Sequence, residues 1–131
     1  MRGITLLVIC TFLVTLSCKN NKNLILEEEN FDVFYDRFHS DMEFQMKRIQ
    51  FPLEGGSAQV EGTIPWTRDN WITMKVKIYD VDKNQYEVYY ERKEDVFIQG
   101  FQLRESGFSA EYRFKKIDKK WYLVYALDTN L

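Results

Sequence analysis

Residues Phe108 to Leu127, FSAEYRFKKIDKKWYLVYAL, constrain the fold more than any other stretch of the chain. Phe108, Ala110, Tyr112 and Phe114 alternate with Ser109, Glu111, Arg113 and Lys115. After a polar turn, Trp121, Leu123, Tyr125 and Leu127 alternate with Tyr122, Val124 and Ala126. Successive side chains of a strand point to opposite faces, so this pattern predicts a β-hairpin with one apolar, aromatic face. With Asp118 and Lys119 in the turn, Phe114 should face Leu123, Tyr112 should face Tyr125, and Ala110 should face Leu127. Such a face needs a cover, and the rest of the chain must supply it.

The cover is readable upstream. Phe31, Phe34, Tyr35, Phe38, Met42, Met46 and Ile49 fall in one stripe at about 100° per residue, with charged residues opposite. Glu27, Glu28 and Glu29 lead into this region, placed at the positive end of a helix. Ser40 followed by Glu43 reads as a capping box, which predicts two helices with a break near His39–Ser40. The continuous stripe equally suits a single helix over 31–49. Val33 and Phe44 lie off the stripe, which implies cover on a second side. Pro52 ends the helical region. Glu54–Ser57 is expected as a turn, Ala58–Ile64 as a weak strand, and Pro65–Trp71 as a loop carrying two tryptophans. Alternating apolar residues predict strands at Ile72–Tyr79 and Tyr86–Tyr90, and Val96–Leu103 predicts another, bulged at Gly100. Helices first and hairpins after make an α+β fold: N-terminal helices packed on a strongly curved antiparallel sheet of four to six strands.

At 131 residues the chain has room for one domain. Aromatic residues make up 16% of it, enough to fill a broad core or line a cleft for an apolar ligand. A net charge of −2 offers no basic field for phosphates, which argues against nucleic acid as a partner.

The first seventeen residues read as an address. Met1–Arg2 is followed by an apolar run from Ile4 to Leu16, too short for a comfortable permanent span and right for the core of a secretory signal. Thr15-Leu16-Ser17-Cys18 resembles the lipobox of bacterial lipoproteins, with Thr15 where Leu is usual. The resemblance implies cleavage before Cys18, acylation of that cysteine (a palmitate-type modification) and anchoring to a membrane through lipid. The expected organisation is a lipoprotein signal peptide at 1–17, a tether at 18–29 and the folded domain at 30–131. Cys10 would leave with the signal, so an acylated Cys18 leaves no cysteine for a disulfide, a thiol catalyst or a metal site. The lack of an acidic run directly after Cys18 favours a cell-envelope location facing the periplasm.

Helices first, then a curled sheet ending in YRFKKIDKKWYLVYALD, resembles the nuclear transport factor 2-like, cystatin-like cone fold. More narrowly, FYDRFHSDMEFQMKRIQFPL followed by that hairpin resembles a group of Bacteroidetes lipoproteins of this fold, over residues 30 to 130. Relatives usually have glycine after the turn Asp118, where this chain has Lys119. The resemblance implies a fold and an envelope location and implies no reaction.

Enzymes of the broader superfamily, such as those resembling ketosteroid isomerase or dehydratases, use Asp, His and Tyr inside the cone. The corresponding catalytic candidates here are Tyr35, Asp36 and His39, the only histidine. Against that role, Asp36 points away from the apolar stripe. The expected pocket lining is Phe31, Phe34, Tyr35 and Phe38 from the helix, with Tyr112, Phe114, Trp121, Leu123 and Tyr125 from the hairpin. Trp66 and Trp71 are candidates for its rim or for a partner platform. Asp80-Val81-Asp82-Lys83-Asn84 with Glu91 mimics a calcium loop, but Gln85 replaces the needed glycine and the flanks read as strands. No metal and no cofactor is expected. The reading is therefore a non-catalytic binding domain for a small molecule or a protein. An isomerase-like or dehydratase-like enzyme, or a module that forms homodimers through its open sheet face, are the alternatives. A cavity of at least about 300 Å³ with a polar group at its floor would favour ligand binding or catalysis, and a cone packed solid with Phe and Tyr would favour the interaction module.

Overall fold

The computed structural model describes residues 27–131; Cys18, the signal segment and most of the tether lie outside the described residues. Asn30 caps the first helix, α1 (Phe31–Ser40), its side-chain oxygen accepting from the backbone N–H groups of Asp32 and Val33. Asp41, rather than Ser40, then caps a second short helix, α2 (Met42–Lys47), by accepting from Phe44 N at 3.0 Å. The break therefore falls one residue later than the Ser40 capping box predicts. It also rephases the buried face. Met42 is 62% exposed, while Phe44 and Gln45 turn inward. The unbroken stripe over 31–49 is a coincidence of spacing across a kink. Glu27–Glu29 do not join α1.

Six strands follow: β1 (Ile49–Gln59), β2 (Gly62–Trp66), β3 (Tyr86–Arg92), β4 (Val96–Leu103), β5 (Phe108–Ile117) and β6 (Lys120–Asn130). They form one sheet in the order β2-β1-β6-β5-β4-β3. The sheet is mixed, not purely antiparallel, because β1 runs parallel to β6. Glu54–Ser57, expected as a turn, is the interior of β1. Gly55 has φ +104°, and a Cβ there would lie 2.1 Å from Ala126 O, so only glycine lets β1 approach β6 at this point. Gly100 lies in unbroken register with Tyr89 and Glu111 and is not a bulge. Its missing side chain leaves room for the Tyr89 ring.

The opening hairpin forms with a turn at Asp118 and Lys119, both at positive φ. Lys119 occupies the left-handed position that glycine would hold without strain, a difference of up to about 1 kcal/mol. Phe114 faces Leu123 as expected, but the register then shifts. Val124 is the extra residue of a bulge, so Tyr112 faces Ala126 and Ala110 faces Asp128. Tyr125 and Leu127 leave the concave face, and Ala126 and Asp128 take their places.

One half of the cone is solid. Phe31, Phe34, Tyr35 and Phe38 of α1 meet Phe97, Phe114, Trp121 and Leu123 of the sheet, all no more than 2% exposed. Phe31 lies 4.7 Å from Phe97 and 4.9 Å from Trp121, ring centre to ring centre, and Phe38 lies 5.2 Å from Phe114. At one flank Arg48 makes paired hydrogen bonds to Glu29 at 2.7 and 2.9 Å and one to Trp121 O at 3.0 Å. Glu29 also accepts from Trp121 N at 2.8 Å, which ties the entry to α1, the end of α2 and the start of β6 together.

The segment from Ile72 to Lys77 is not a strand, despite its alternation. Ile72 and Val76 are 73% and 59% exposed. Gln45, fully buried, holds the segment instead. Its Nε2 donates to Phe38 O at 2.7 Å and to Met74 O at 2.8 Å, and its Oε1 accepts from Met74 N and Trp71 Nε1, both at 3.0 Å. One side-chain amide thus takes both backbone groups of Met74, as a neighbouring strand would. A short 3-10 turn, Ile78–Asp80, follows, and Ile78 N donates to Tyr35 Oη at 3.0 Å.

Replacing Gln45 with Leu takes the partner from four polar groups, of which the Phe38 O contact is buried and those of Met74 N, Met74 O and Trp71 Nε1 are part-buried. The loss in a urea-unfolding measurement should be at least about 3 kcal/mol, with Met74 N–H losing its protection against hydrogen exchange. A loss under about 1 kcal/mol would show that the segment is held by something else.

Candidate ligand-binding cavity

Beyond the Val124 bulge the cone is open. The concave side of β3–β6 there presents Tyr86, Gln99, Phe101, Tyr112 and Asp128, with Ala110 paired to Phe101 and Asp128 and Ala126 paired to Tyr112 on the same face. Trp66, at the end of β2, and the Gln45-held segment from Trp71 to Asp82 close the other side. Together they bound a cavity of about 380 Å³. Its floor is made of buried Trp66, Ile78, Gln99 and Tyr112, and its mouth of exposed Ile72, Lys75, Val76, Asp80 and Asp82. A separate, shallower groove lies over Met42, Met46, Arg68 and the outer side of Trp71.

Polar groups converge on the floor. Tyr112 Oη donates to Asp128 Oδ1 at 2.8 Å. Burial pushes the Asp128 carboxyl above its usual range, opposed by the Tyr112 hydrogen bond. Burial, helped by the Asp128 charge, pushes the Tyr112 phenol well above its ordinary value, so it stays a donor. Gln99, 1% exposed, accepts at Oε1 from Tyr35 Oη, which leaves its amide N–H groups as the donors it can offer. Trp66 Nε1, in the same wall, is buried and has no hydrogen-bond partner among the described residues.

Tyr112 stands in the cavity wall, as expected from the hairpin. Phe31, Phe34, Tyr35, Phe38, Phe114, Trp121 and Leu123 do not line it; they are mutually packed core. Tyr125 lies on the other side of the sheet, where the Arg113 guanidinium sits 4.3 Å from its ring centre. Trp66 and Trp71 meet edge to face at 5.5 Å and form wall rather than a projecting rim.

The catalytic candidates separate. Asp36 is exposed and pairs with Lys77 at 2.9 Å. His39 and Tyr35 pack ring to ring at 4.4 Å inside the core. His39 Nδ1 is bonded to Tyr35 O at 2.8 Å. Burial, reinforced by the nearby Lys77 charge, lowers the His39 pKa, which favours the neutral ring. The Asp80–Glu91 stretch is a 3-10 turn, a tight turn and β3. Asp82 Oδ1 accepts from Asn84 N at 2.9 Å there. Among the described residues no group of three or more His, Cys, Asp or Glu side chains could hold a metal ion.

Gln99 and Asp128 escaped the sequence reading. Gln99 is the polar residue between Phe97 and Phe101 on the inward positions of β4, a signal hidden by the expected bulge at Gly100. Asp128 reaches the concave face only because of Val124. The apolar run Trp121–Leu127 tolerates either parity, so nothing in it marks the slip.

Two short helices across a curved six-stranded sheet, open at one end, define the α+β cone of cystatin-like and NTF2-like proteins. A protein-family model described as "-like:-like" matches residues 29–130, and the chain belongs to that family. Among solved structures the chain is similar to a cystatin-like protein from Bacteroides caccae, with 25% identity, a TM-score of 0.62 and coverage of 78% of this chain and 77% of that one. It is similar also to a protein from Bacteroides uniformis, at 24% identity and a TM-score of 0.55, over 79% and 78% of the two chains. An NTF2-like protein from Bacteroides fragilis shares the fold at 20% identity and a TM-score of 0.57, over 80% of this chain and 49% of that one. No curated protein matches the chain.

The raised Asp128 pKa has a consequence for stability. A carboxyl whose folded value lies above its unfolded value of about 3.9 favours folding fully below that value. The contribution is lost as pH rises through the folded value. Unfolding measured from pH 3 to 7 should show this slope in the native chain, and Asp128→Asn, which keeps an oxygen for Tyr112, should remove it. An unchanged slope in the variant would place the titration elsewhere.

Proposed function

We propose that this chain is a lipid-anchored protein of the bacterial cell envelope whose cone binds a small ligand without chemical change. One observation carries the binding part: a cavity of about 380 Å³ whose apolar walls converge on Tyr112, Asp128, Gln99 and a Trp66 N–H that has no partner among the described residues. Binding sites for small molecules are concave, mostly apolar and fixed by a few placed polar groups. The separation of Tyr35 and His39, in the core, from Asp36, in an exposed ion pair, favours binding over proton-transfer chemistry by those three.

The anchoring part rests on Leu16-Ser17-Cys18 at the end of a short apolar run. Acyl chains on Cys18 contribute about 0.8 kcal/mol per buried methylene, so more than one chain holds the protein on the bilayer. Among the described residues no helix is long and apolar enough to cross a membrane. The domain would sit outside the bilayer, facing the periplasm, on the short polar tether that begins at Lys19.

Native mass spectrometry of the purified protein, after equilibration with a small-molecule extract, should find a bound adduct. Val81→Trp, which fills the cavity from its wall, should lose that adduct while keeping a cooperative melting transition. An adduct that persists in the filled variant would refute the cavity as the site. Separately, Cys18→Ala should move the protein from the membrane fraction to the supernatant, and continued sedimentation with membranes would overturn the anchor.

A further inference from the structure

The chemistry of this cavity narrows the class of its ligand, an inference that rests on the binding reading above. Its charges are unequal: Asp128 lies at the floor and Asp80 and Asp82 at the mouth, against Lys75 alone among cations. Clefts lined by one sign of charge concentrate ligands of the opposite sign. Asp128 is only partly exposed, and Tyr112 is its single hydrogen-bond partner among the described residues. A carboxylate accepts at about four positions, so most of this one's capacity is unused. Leaving a desolvated carboxylate so thinly compensated is unfavourable, and a donor carrying positive charge compensates it best.

The walls point the same way. Trp71, Tyr86 and Phe101 put aromatic side chains around the space, with Trp66 and Tyr112 beneath. Aromatic faces attract cations, and the attraction strengthens where water is excluded. The buried Trp66 N–H adds a second requirement, because a buried donor without a partner calls for an acceptor. An anion would meet the carboxylates, and a purely apolar ligand would satisfy neither Asp128 nor Trp66.

We propose that the cavity takes an organic cation: a compact amine whose ammonium group meets Asp128, whose apolar or ring body lies among Trp71, Tyr86 and Phe101, and which offers an acceptor to the Trp66 N–H. Tyr112 holds the Asp128 carboxylate in position from the side and remains a donor. Asp80 and Asp82 draw the cation to the mouth.

Three probes of nearly the same shape test this by calorimetric titration of the purified protein: the 5-methoxy derivatives of tryptamine (cationic), tryptophol (neutral) and indole-3-propionate (anionic), each with an ether oxygen as acceptor for the Trp66 N–H. The tryptamine derivative should bind about tenfold tighter than the tryptophol derivative, the difference between a charge-assisted and a neutral hydrogen bond, with the propionate weakest. Asp128→Asn keeps the Tyr112 contact and should erase the tryptamine advantage while leaving the tryptophol derivative unchanged. Tyr112→Phe keeps the carboxylate and should retain the advantage. The tryptophol derivative or the propionate binding as tightly as the tryptamine derivative, or an advantage that survives Asp128→Asn, overturns the cation assignment and leaves the cavity reading intact. Failure of all three probes to bind also overturns it, while the cavity reading stands or falls on the Val81→Trp comparison.

Discussion

The buried amide of Gln45 is the interaction on which the open half of this domain depends. Its four hydrogen bonds hold the Trp71–Met74 backbone at a fixed distance from α1 and α2. A strand in that position would have joined the edge of the sheet and laid its alternating residues on the concave face. Held by one side chain instead, the segment stands off from the sheet, and the gap between them is the cavity. A buried glutamine is acceptable there because each of its donors and acceptors is used.

A second constraint divides the cone. Before Val124, the inward residues of β6 are Trp121 and Leu123, which interlock with the phenylalanines of α1. After it they are Ala126 and Asp128, one small and one charged. One inserted residue thus changes the same strand from core to binding surface. The two halves have opposite tasks, since the packed aromatics stabilise the domain and the open half leaves surface for a ligand. Between them lies Tyr35, packed in the core through its ring and bonded through its hydroxyl to Gln99 of the cavity floor and to Ile78 N. The floor is thereby tied by hydrogen bonds to the packed aromatic core.

Much of the architecture was legible in the residues. The stripe Phe31–Phe38, the hairpin turn at Asp118–Lys119, β3, β4 and the Phe114–Leu123 pair follow from local periodicity. What escaped depended on distant partners. The alternation of Ile72–Ile78 is a strand pattern, yet Gln45, far back in the chain, claims the backbone groups a strand would have shared. Gly55–Gly56 reads as a turn, yet β6 needs Gly55, and β2 needs Gly56, free of a side chain. The helical stripe ran through Met42 and Met46 because Asp41 kinks the chain without disturbing the spacing. The cavity was the least legible part, since Asp128 and Gln99 are ordinary polar residues until the register brings them together. The aromatic residues that sequence offered as pocket walls were apolar enough to be core, and the core claimed them.

The parallel pairing of β1 with β6 has a consequence for how the molecule is made. The first strand of the sheet finds its inner neighbour only in the last, with Ile49 opposite Leu123 and Gln59 opposite Asn130. Contacts between such remote positions slow folding, because a large loop must close before they form. Until β6 arrives, the β1–β2 hairpin shows an unpaired edge, and Arg48 and Glu29 lack the Trp121 backbone that both of them bind. A chain clipped before Trp121 would lose its centre and not merely an end. The topology therefore works as a test of completeness, in which only the intact chain can hide the edge of its own first strand.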